Sequence, residues 1–572
     1  MTWDQSFDLI VVGSGAAGMS AAIRAHDLGR RVLIVEATDQ YGGSTAISGG
    51  VVWIPDNPQL PSRGIKDSRE DSLTYLKHIT QGEVPVARLE AYVDESKRVL
   101  AYLDENAHFK LDALEEYADY YPEAPGGKPG GRSMEPVPYD ATLLGSEFLK
   151  LRKSHPQSQI MGLFGITARE AKGYLVPGFW GTVKLLSRFV QYGLRWFKRR
   201  RFHRDTKLHA GNALIARLRR GLMDRNVPLW LSTELTELVI EGGRVTGVVV
   251  KQGDKSMRLA ANDGVMLAAG GFERNQAMRE QYQRAPISTD WNAGNLRNQG
   301  DAIRLGADAG GALALMDEAW WTPVTRLPKS DSAWVLVVEK SLPGGLFVNR
   351  AGKRFYNEAA PYLDVGKAMW DGDAVPDAWL VFDGKFRRDF PVGPIAPGYA
   401  QPDSSLSRRL REDFLTRADT LDALAEKCGF DVNGFRETIA RFNTMATAGV
   451  DEDYRRGDSA NDRYYADDRI KPNPSLRALT KAPFYAIRIY PGDLGTKGGL
   501  VTDRNARVLD ASGAAIPGLY AAGNTSAAVM GRTYPGAGGT IGPALVFGFL
   551  GAEAAAADGI AQGPSRQLAG GS

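Results

Sequence analysis

Apolar and polar positions recur along this chain with two periods, and each change of period marks a change of element. Residues 7–12 form an apolar, β-branched run with the length of a buried parallel strand. Small and apolar residues then recur at helical spacing over 19–28, and 31–35 return to a strand-like run. Apolar positions at helical spacing over 71–107 carry acidic faces and predict helices, with another over 208–222. Residues 228–250 alternate as short antiparallel strands about a Gly242-Gly243 turn, and 264–269 is a buried-strand run. A helix and turn follow over 300–315, and polar-faced helices fill 406–448. From Phe484 strands and turns resume, 518–524 is a strand ending in small residues, and a glycine-rich entry at 538–545 opens a last helix. Strands interleaved with helices over 572 residues predict an α/β fold of more than one domain.

One segment, 153–204, is different in kind. Its helical period is clear from Phe179 to Phe197. Lys184, Arg188, Gln191, Arg195 and Lys198 fall on a narrow polar stripe. Val183, Leu186, Val190, Leu194 and Phe197 fall opposite, and Leu185, Phe189, Tyr192 and Trp196 widen that apolar face. Lys198-Arg199-Arg200-Arg201 closes the segment. Charges along one side exclude an ordinary spanning helix. An apolar face with Trp, Phe and a basic end, over 179–201, fits a helix lying in a membrane interface. The same face also fits a helix packed on the protein's own core or in a dimer seam.

The glycines say what the first strands are for. Gly13, Gly15 and Gly18 form G-x-G-x-x-G directly after the first strand, with Ala16 and Ala17 completing the turn. The first glycine allows a tight turn. The second lets the backbone approach a pyrophosphate, and the third lets the helix pack closely on the strand. Glu36, with Ala37 beside it, ends the second strand, placed to bind a ribose hydroxyl. A second glycine-rich loop follows at Gly42, Gly43, Ser44 and Thr45, then Ser48, Gly49 and Gly50. Its N–H groups and small hydroxyls suit the rest of a pyrophosphate and an isoalloxazine edge, which an NAD domain does not need. The expected dinucleotide is therefore FAD, held non-covalently because no histidine sits in a flavin loop.

Three later stretches return to that site. Ala269 and Gly270 end one strand, and Gly523 and Asn524 end another. Gly539, Ile541, Ala544 and Leu545 belong to the last helix, whose N-terminal N–H groups are expected at the N1/C2=O edge of the flavin, where the helix dipole favours the negative charge of the reduced ring. No second G-x-G-x-x-G follows a strand, so electrons are expected to leave by an acceptor other than NAD(P). The expected architecture is a discontinuous Rossmann-type FAD-binding domain, 1–315 and 484–572, with an inserted α+β catalytic domain over 316–483. At this level the chain resembles the fumarate reductase/succinate dehydrogenase-like flavoproteins.

Composition removes several other classes. A formal charge of +3 is nearly neutral for this size and gives no case for nucleic acid. The single cysteine, Cys428, excludes an internal disulfide and a cysteine metal cluster, and the six histidines lack metal-ligand spacing. No metal is expected. The first strand begins almost at Met1, leaving no room for a signal peptide. A cytoplasmic location is expected, peripheral on the inner membrane face if the basic helix binds lipid. Residues 563–572 read as a frayed tail.

Three stretches narrow the chemistry: Asp119-Tyr120-Tyr121-Pro122-Glu123 with the glycine-rich loop up to Arg132, Asn357-Glu358-Ala359-Ala360-Pro361-Tyr362, and Gly531-Arg532-Thr533-Tyr534-Pro535-Gly536-Ala537-Gly538-Gly539-Thr540. All three resemble the corresponding stretches of 3-ketosteroid Δ1-dehydrogenases. The resemblance covers nearly the whole chain apart from roughly 153–204. It implies a steroid A-ring held between the two domains above the flavin. Carried over by residue, Tyr534 and the N–H of Gly538 hold the C3 carbonyl oxygen, and Tyr362 takes the C2 proton. A phenol of pKa near ~10 needs help to act as a base at neutral pH. The family's helper is a second tyrosine of the D-Y-Y loop; Tyr121 is expected, with Tyr120 the fallback. The implied partners are a 3-ketosteroid and an external acceptor, a quinone or similar. Alternatives on the same fold are a Δ4-(5α)-dehydrogenase, which places the double bond elsewhere, and a fumarate- or urocanate-type reductase, which needs carboxylate-binding cations. A non-catalytic, membrane-associated flavin-binding protein is the alternative from another class.

Overall fold

A computed structural model of the chain describes residues 2–175 and 179–561, so the tail expected at 563–572 lies outside the described residues. The first apolar run becomes the strand Gln5–Val12, parallel to Val32–Val35 on one side and to Lys255–Leu267 on the other. Ala515–Ala521 pairs parallel beyond Lys255–Leu267, and Leu229–Trp230 beyond Val32–Val35. Both faces of this sheet are covered, as continuous apolar strands require. Leu9 and Val11 pack with Met19 and Ile23 on one face, while Ile10 and Val12 pack with Val248 and Val265 on the other. The antiparallel hairpin Thr233–Glu241 and Arg244–Gln252 turns at Gly242 and Gly243, both at positive φ.

The last helix, Ile541–Ala561, packs on Ala16–Asp27. Among the described residues it alone is long and apolar enough to cross a membrane, but Val546, Phe549 and Ala552 are fully buried, which makes it a core helix.

The second sheet is antiparallel. It runs Trp334–Val335, Ala319–Thr325, Phe484–Thr496, Ala378–Asp383, Gly345–Asn349, with Thr416–Ala418 also paired to Phe484–Thr496. The expected boundary at 483/484 falls at the start of a strand of this sheet. Phe484–Thr496 is the strand to which three others attach. Its alternating side chains serve two cores, Ile487 with Leu380 and Phe382 on one face, Ala486 with Val381 and Phe435 on the other.

The 179–201 stretch is two helices, Phe179–Leu194 and Trp196–Phe202, because Arg195 leaves helical geometry at φ −83, ψ 11. Two members of the polar stripe, Arg188 and Arg195, turn to the protein, while Lys184, Gln191 and Lys198 stay exposed. Arg188 is buried, donates to the Gly165 carbonyl at 3.1 Å and lies 2.7 Å from His209 Nε2. Burial and the neighbouring Arg188 push His209 down to about 3, so it stays neutral and accepts that N–H. Arg195 pairs with Asp205 at 3.0 Å. Phe189 and Tyr192, expected on the outer apolar face, pack instead on Phe164 at 5.1 and 5.6 Å. What remains outside is Val183, Leu186, Val190, Leu194 and Phe197, exposed from 40% to 80%. The apolar stripe is thus not packed on the protein's own core.

Candidate active site

One elongated cavity runs from the first glycine turn to the second sheet. At its nucleotide end the three glycines do what their spacing implies. Gly13 sits at φ +104, and a Cβ there would stand 2.3 Å from the Ala268 carbonyl oxygen. A Cβ on Gly18 would stand 2.0 Å from the Gly13 oxygen, so Gly18 packs helix on strand rather than lining the cavity. The helix Ala16–Asp27 begins with no side-chain cap and no acid in its first turn, leaving its N-terminus to an anion. Glu36 is buried at the end of Val32–Val35, its carboxylate held by Ser14 and Thr38.

Ala37, Gly43, Ser44, Thr45, Ser48, Gly49 and Gly50 line the same cavity, as do Ala269, Gly270, Gly523, Asn524, Ile541 and Ala544. A narrow cleft cradled by glycines, with an uncapped helix start and a buried acid, fits FAD. Gly42, Gly539 and Leu545 do not line it. Gly42 caps the short helix Gly43–Ile47 at φ 113, and its N–H donates to Ser14 Oγ. Gly539 lies behind Tyr534, where a Cβ would meet Pro535. The Leu545 carbonyl accepts from Ser20 Oγ, turned to the neighbouring helix.

Asn295 and Asn298 also line the cavity, and the sequence reading passed over them. The Asn295 N–H and the Asn298 side chain both donate to Ser44 Oγ at 3.1 Å, and Asn298 also donates to the fully buried Glu273 at 2.6 Å. Burial pushes Glu273 up to about 7. The only signal in the chain was a run of asparagines ahead of a helix.

At the other end three tyrosines meet. Tyr362 is the first residue of Tyr362–Asp371, and Tyr534 lies in the turn before the last helix. Their ring centroids are 5.5 Å apart, and Tyr120 packs edge-on at 5.3 Å from Tyr362 and 5.2 Å from Tyr534. All three are buried and line the cavity. Tyr121 does not belong to this group: its hydroxyl donates to Asp364 at 3.0 Å, on the far side of the loop. Of the adjacent pair, Tyr120 lines the cavity and Tyr121 does not.

Gly538 sits at φ +97, and a Cβ would stand 2.5 Å from the Trp53 nitrogen, so only glycine fits. The Tyr534 hydroxyl lies 3.0 Å from Thr540 Oγ1. Burial raises the Tyr534 phenol, while contacts with Thr540, Tyr362 and the Gly538 N–H pull it the other way. Tyr534 and Gly538 line the same end of the cavity, one offering a hydroxyl and the other a main-chain amide, the donor types suited to an oxygen that gains negative charge. Trp320 packs on Tyr534 at 4.6 Å and donates to Asn524 Oδ1. Val335, Val337, Leu494, Tyr117 and Tyr465 supply apolar and aromatic walls.

The loop into Tyr362 is braced by buried charge. Arg354 pairs with Glu358 and Asp451, and Arg456 with Glu358. Burial, with Tyr534 close by, raises the Tyr362 phenol well above its ordinary range.

The chain matches the FAD binding domain family over residues 8–541. It is 42% identical to a 3-oxosteroid 1-dehydrogenase of Mycolicibacterium smegmatis, over 96% of this chain and 97% of that one. It is 38% identical to a 3-oxosteroid 1-dehydrogenase of Comamonas testosteroni, over 96% of each. A crystal structure of 3-ketosteroid delta1-dehydrogenase from Sterolibacterium denitrificans, in complex with 1,4-androstadiene-3,17-dione, superposes with a TM-score of 0.94 at 46% identity. That match covers 97% of this chain and all of the other.

Proposed function

The chain belongs to the FAD binding domain family and, within it, to the 3-oxosteroid 1-dehydrogenases, and on that premise we propose how its pocket performs FAD-dependent 1,2-desaturation of 3-ketosteroids. The observation that carries the assignment of roles is the Tyr120–Tyr362–Tyr534 triangle, with Gly538 beside it, at the end of a cleft built for FAD. The C3 carbonyl oxygen of the steroid A-ring accepts from Tyr534 and the Gly538 N–H. As charge develops there, the C2–H becomes acidic, and each such donor contributes about 10²–10³ in rate. Tyr362 takes the C2 proton, with Tyr120 rather than Tyr121 at its side. FAD, when bound in the cleft, would supply the two-electron acceptor for the hydride that leaves C1. The product is a 3-keto-1-ene steroid, and the electrons pass on to an external acceptor such as a quinone.

The test is turnover of androst-4-ene-3,17-dione with an artificial acceptor, followed by product identification. Androsta-1,4-diene-3,17-dione is the expected product. A double bond placed elsewhere, or no reaction with any 3-ketosteroid, removes the assignment.

The exposed stripe supports a second element of function. Val183, Leu186, Val190, Leu194 and Phe197 lie outward beside the basic run Lys198–Arg201. The segment leading into these helices contributes Ile166, Ala168 and Ala171 to the cavity wall. A lipid surface is the occupant with matching chemistry: apolar interior, anionic rim. Its place beside the cavity suits a substrate that partitions into bilayers. Leu194→Asp with Phe197→Asp removes two apolar anchors worth about 1.5–3 kcal/mol each when buried. The pair is expected to cut cosedimentation with anionic phospholipid vesicles at least about tenfold, with turnover of dissolved steroid retained. Vesicle binding equal to wild type would exclude this surface.

A further inference from the structure

A buried phenol is a poor base, and the proton that Tyr362 takes also needs somewhere to go. Behind Tyr120 and Tyr362 lies a second, small cavity of about 20 Å³, lined also by Lys340, Asn461, Tyr117 and Tyr465. That volume accommodates a single water, which takes roughly 10–15 Å³ and wants two to four polar partners. The Tyr120 hydroxyl, on this cavity's wall, is buried without a hydrogen-bond partner.

Lys340 is only 3% exposed and has no ion pair among the described residues. Its Nζ donates to the carbonyl oxygens of Ala360 at 2.5 Å and Glu358 at 2.9 Å, and lies 3.4 Å from Ser341 Oγ. Those two carbonyls belong to the loop that runs directly into Tyr362. A neutral amine has two N–H groups and one lone pair. The carbonyls use both N–H groups, and the third position, a lone pair in the neutral amine, lies towards Ser341 Oγ on the wall of the small cavity.

The charges around it are Glu358, Asp462, Asp364 and Arg456, besides the phenols of the cavity. Glu358 is committed to Arg354 and Arg456, Asp462 to Asn357 and the Gly457 N–H, and Asp364 accepts from Tyr121. None neutralises Lys340 directly. Burial pushes Lys340 down to about 7, so the amine gains and loses its proton near neutrality.

We infer that Lys340 is the proton acceptor behind the base, reached from Tyr362 through Tyr120 and a water in the small cavity. The C2–H bond breaks and its electron pair forms the C1=C2 bond as hydride leaves C1. The C2 proton arrives on the Tyr362 oxygen as that phenol's own proton passes to Tyr120, whose proton passes through the water to the Lys340 lone pair. Each phenol gives one proton and takes one, and the ammonium then releases its proton to solvent. Lys340 acts through Tyr362, so it is a positioning and relay residue. The inference rests on the reading of Tyr362 as base.

The experiment follows flavin bleaching in single anaerobic turnovers with saturating androst-4-ene-3,17-dione, at pH values on both sides of neutral. The wild-type rate should rise as pH passes through about 7, where the amine becomes free to accept. Lys340→Met should be slower by at least about tenfold and flat across that range. Lys340→Arg keeps a donor to both carbonyls but stays charged, and should lose the same rise. Steroid affinity and FAD content should match wild type in the arginine variant. An arginine variant with the wild-type rate and profile would overturn the relay and leave Lys340 a brace. A wild-type enzyme that is not bleached by any 3-ketosteroid would instead overturn the proposed function.

Discussion

Replacing Tyr362 by Phe is expected to slow flavin reduction by about 10³-fold while leaving FAD bound, since a positioned proton acceptor contributes about 10²–10⁴ in rate. The phenol is buried and packs on two others, so loss of the hydroxyl leaves the ring contacts at 5.3 and 5.5 Å intact. The defect should therefore lie in chemistry rather than in folding. Stopped-flow bleaching with a saturating 3-ketosteroid is the measurement. Tyr120→Phe should follow in the same direction, and Tyr121→Phe should stay near wild type, because its hydroxyl serves Asp364. A Tyr362→Phe rate within tenfold of wild type, or a Tyr121→Phe loss larger than that of Tyr120→Phe, would undo the assignment of roles.

The second large effect is expected at Gly13. A side chain there meets two obstacles at once. The residue holds φ +104, where L side chains are strained by about 1–3 kcal/mol. Its Cβ would also stand 2.3 Å from the Ala268 oxygen, backbone that cannot swing aside. Gly13→Ala should push apart the strands Gln5–Val12 and Lys255–Leu267 where the pyrophosphate turn begins. Flavin retained through purification should fall at least about tenfold, read as flavin absorbance per protein. Full yellow colour in that variant would mean that the turn does not form the cofactor cradle.

These two sites differ in how they could be read from the chain. The glycine turn is local: strand, glycines, helix and acid lie within the first residues, and the structure places them as their spacing implies. The tyrosine site is assembled from positions 120, 362 and 534, and only a resemblance could bring them together. Adjacent Tyr120 and Tyr121 have the same local chemistry, and the choice between them depends on which way the loop lies against Pro535, whose carbonyl accepts from the Tyr120 N–H. A boundary at 483/484 is hard to place from the chain for a related reason. Phe484–Thr496 begins as a strand of one sheet and ends beside the FAD cleft, and alternation alone does not say which sheet claims it. In the 179–201 helices the period was legible, but the inward face was not. Arg188 faces in because Gly165 and His209, on other segments, can receive it. Lys340 left no pattern at all, since a lysine between apolar runs reads as a surface residue.

The nucleotide sheet closes on itself late. Its inner strand Gln5–Val12 leaves the ribosome about 500 residues ahead of Ala515–Ala521 and the helix Ile541–Ala561 that cover it. At about 5–20 residues per second, the interval is on the order of tens of seconds. Throughout it Ala16–Asp27 can pack on Ala210–Asp224 but lacks its larger partner Ile541–Ala561, and no prefix of the chain ending before Ala515 can complete the flavin cleft. Biosynthesis of this protein therefore passes through an apolar, cofactor-free half-sheet for that time.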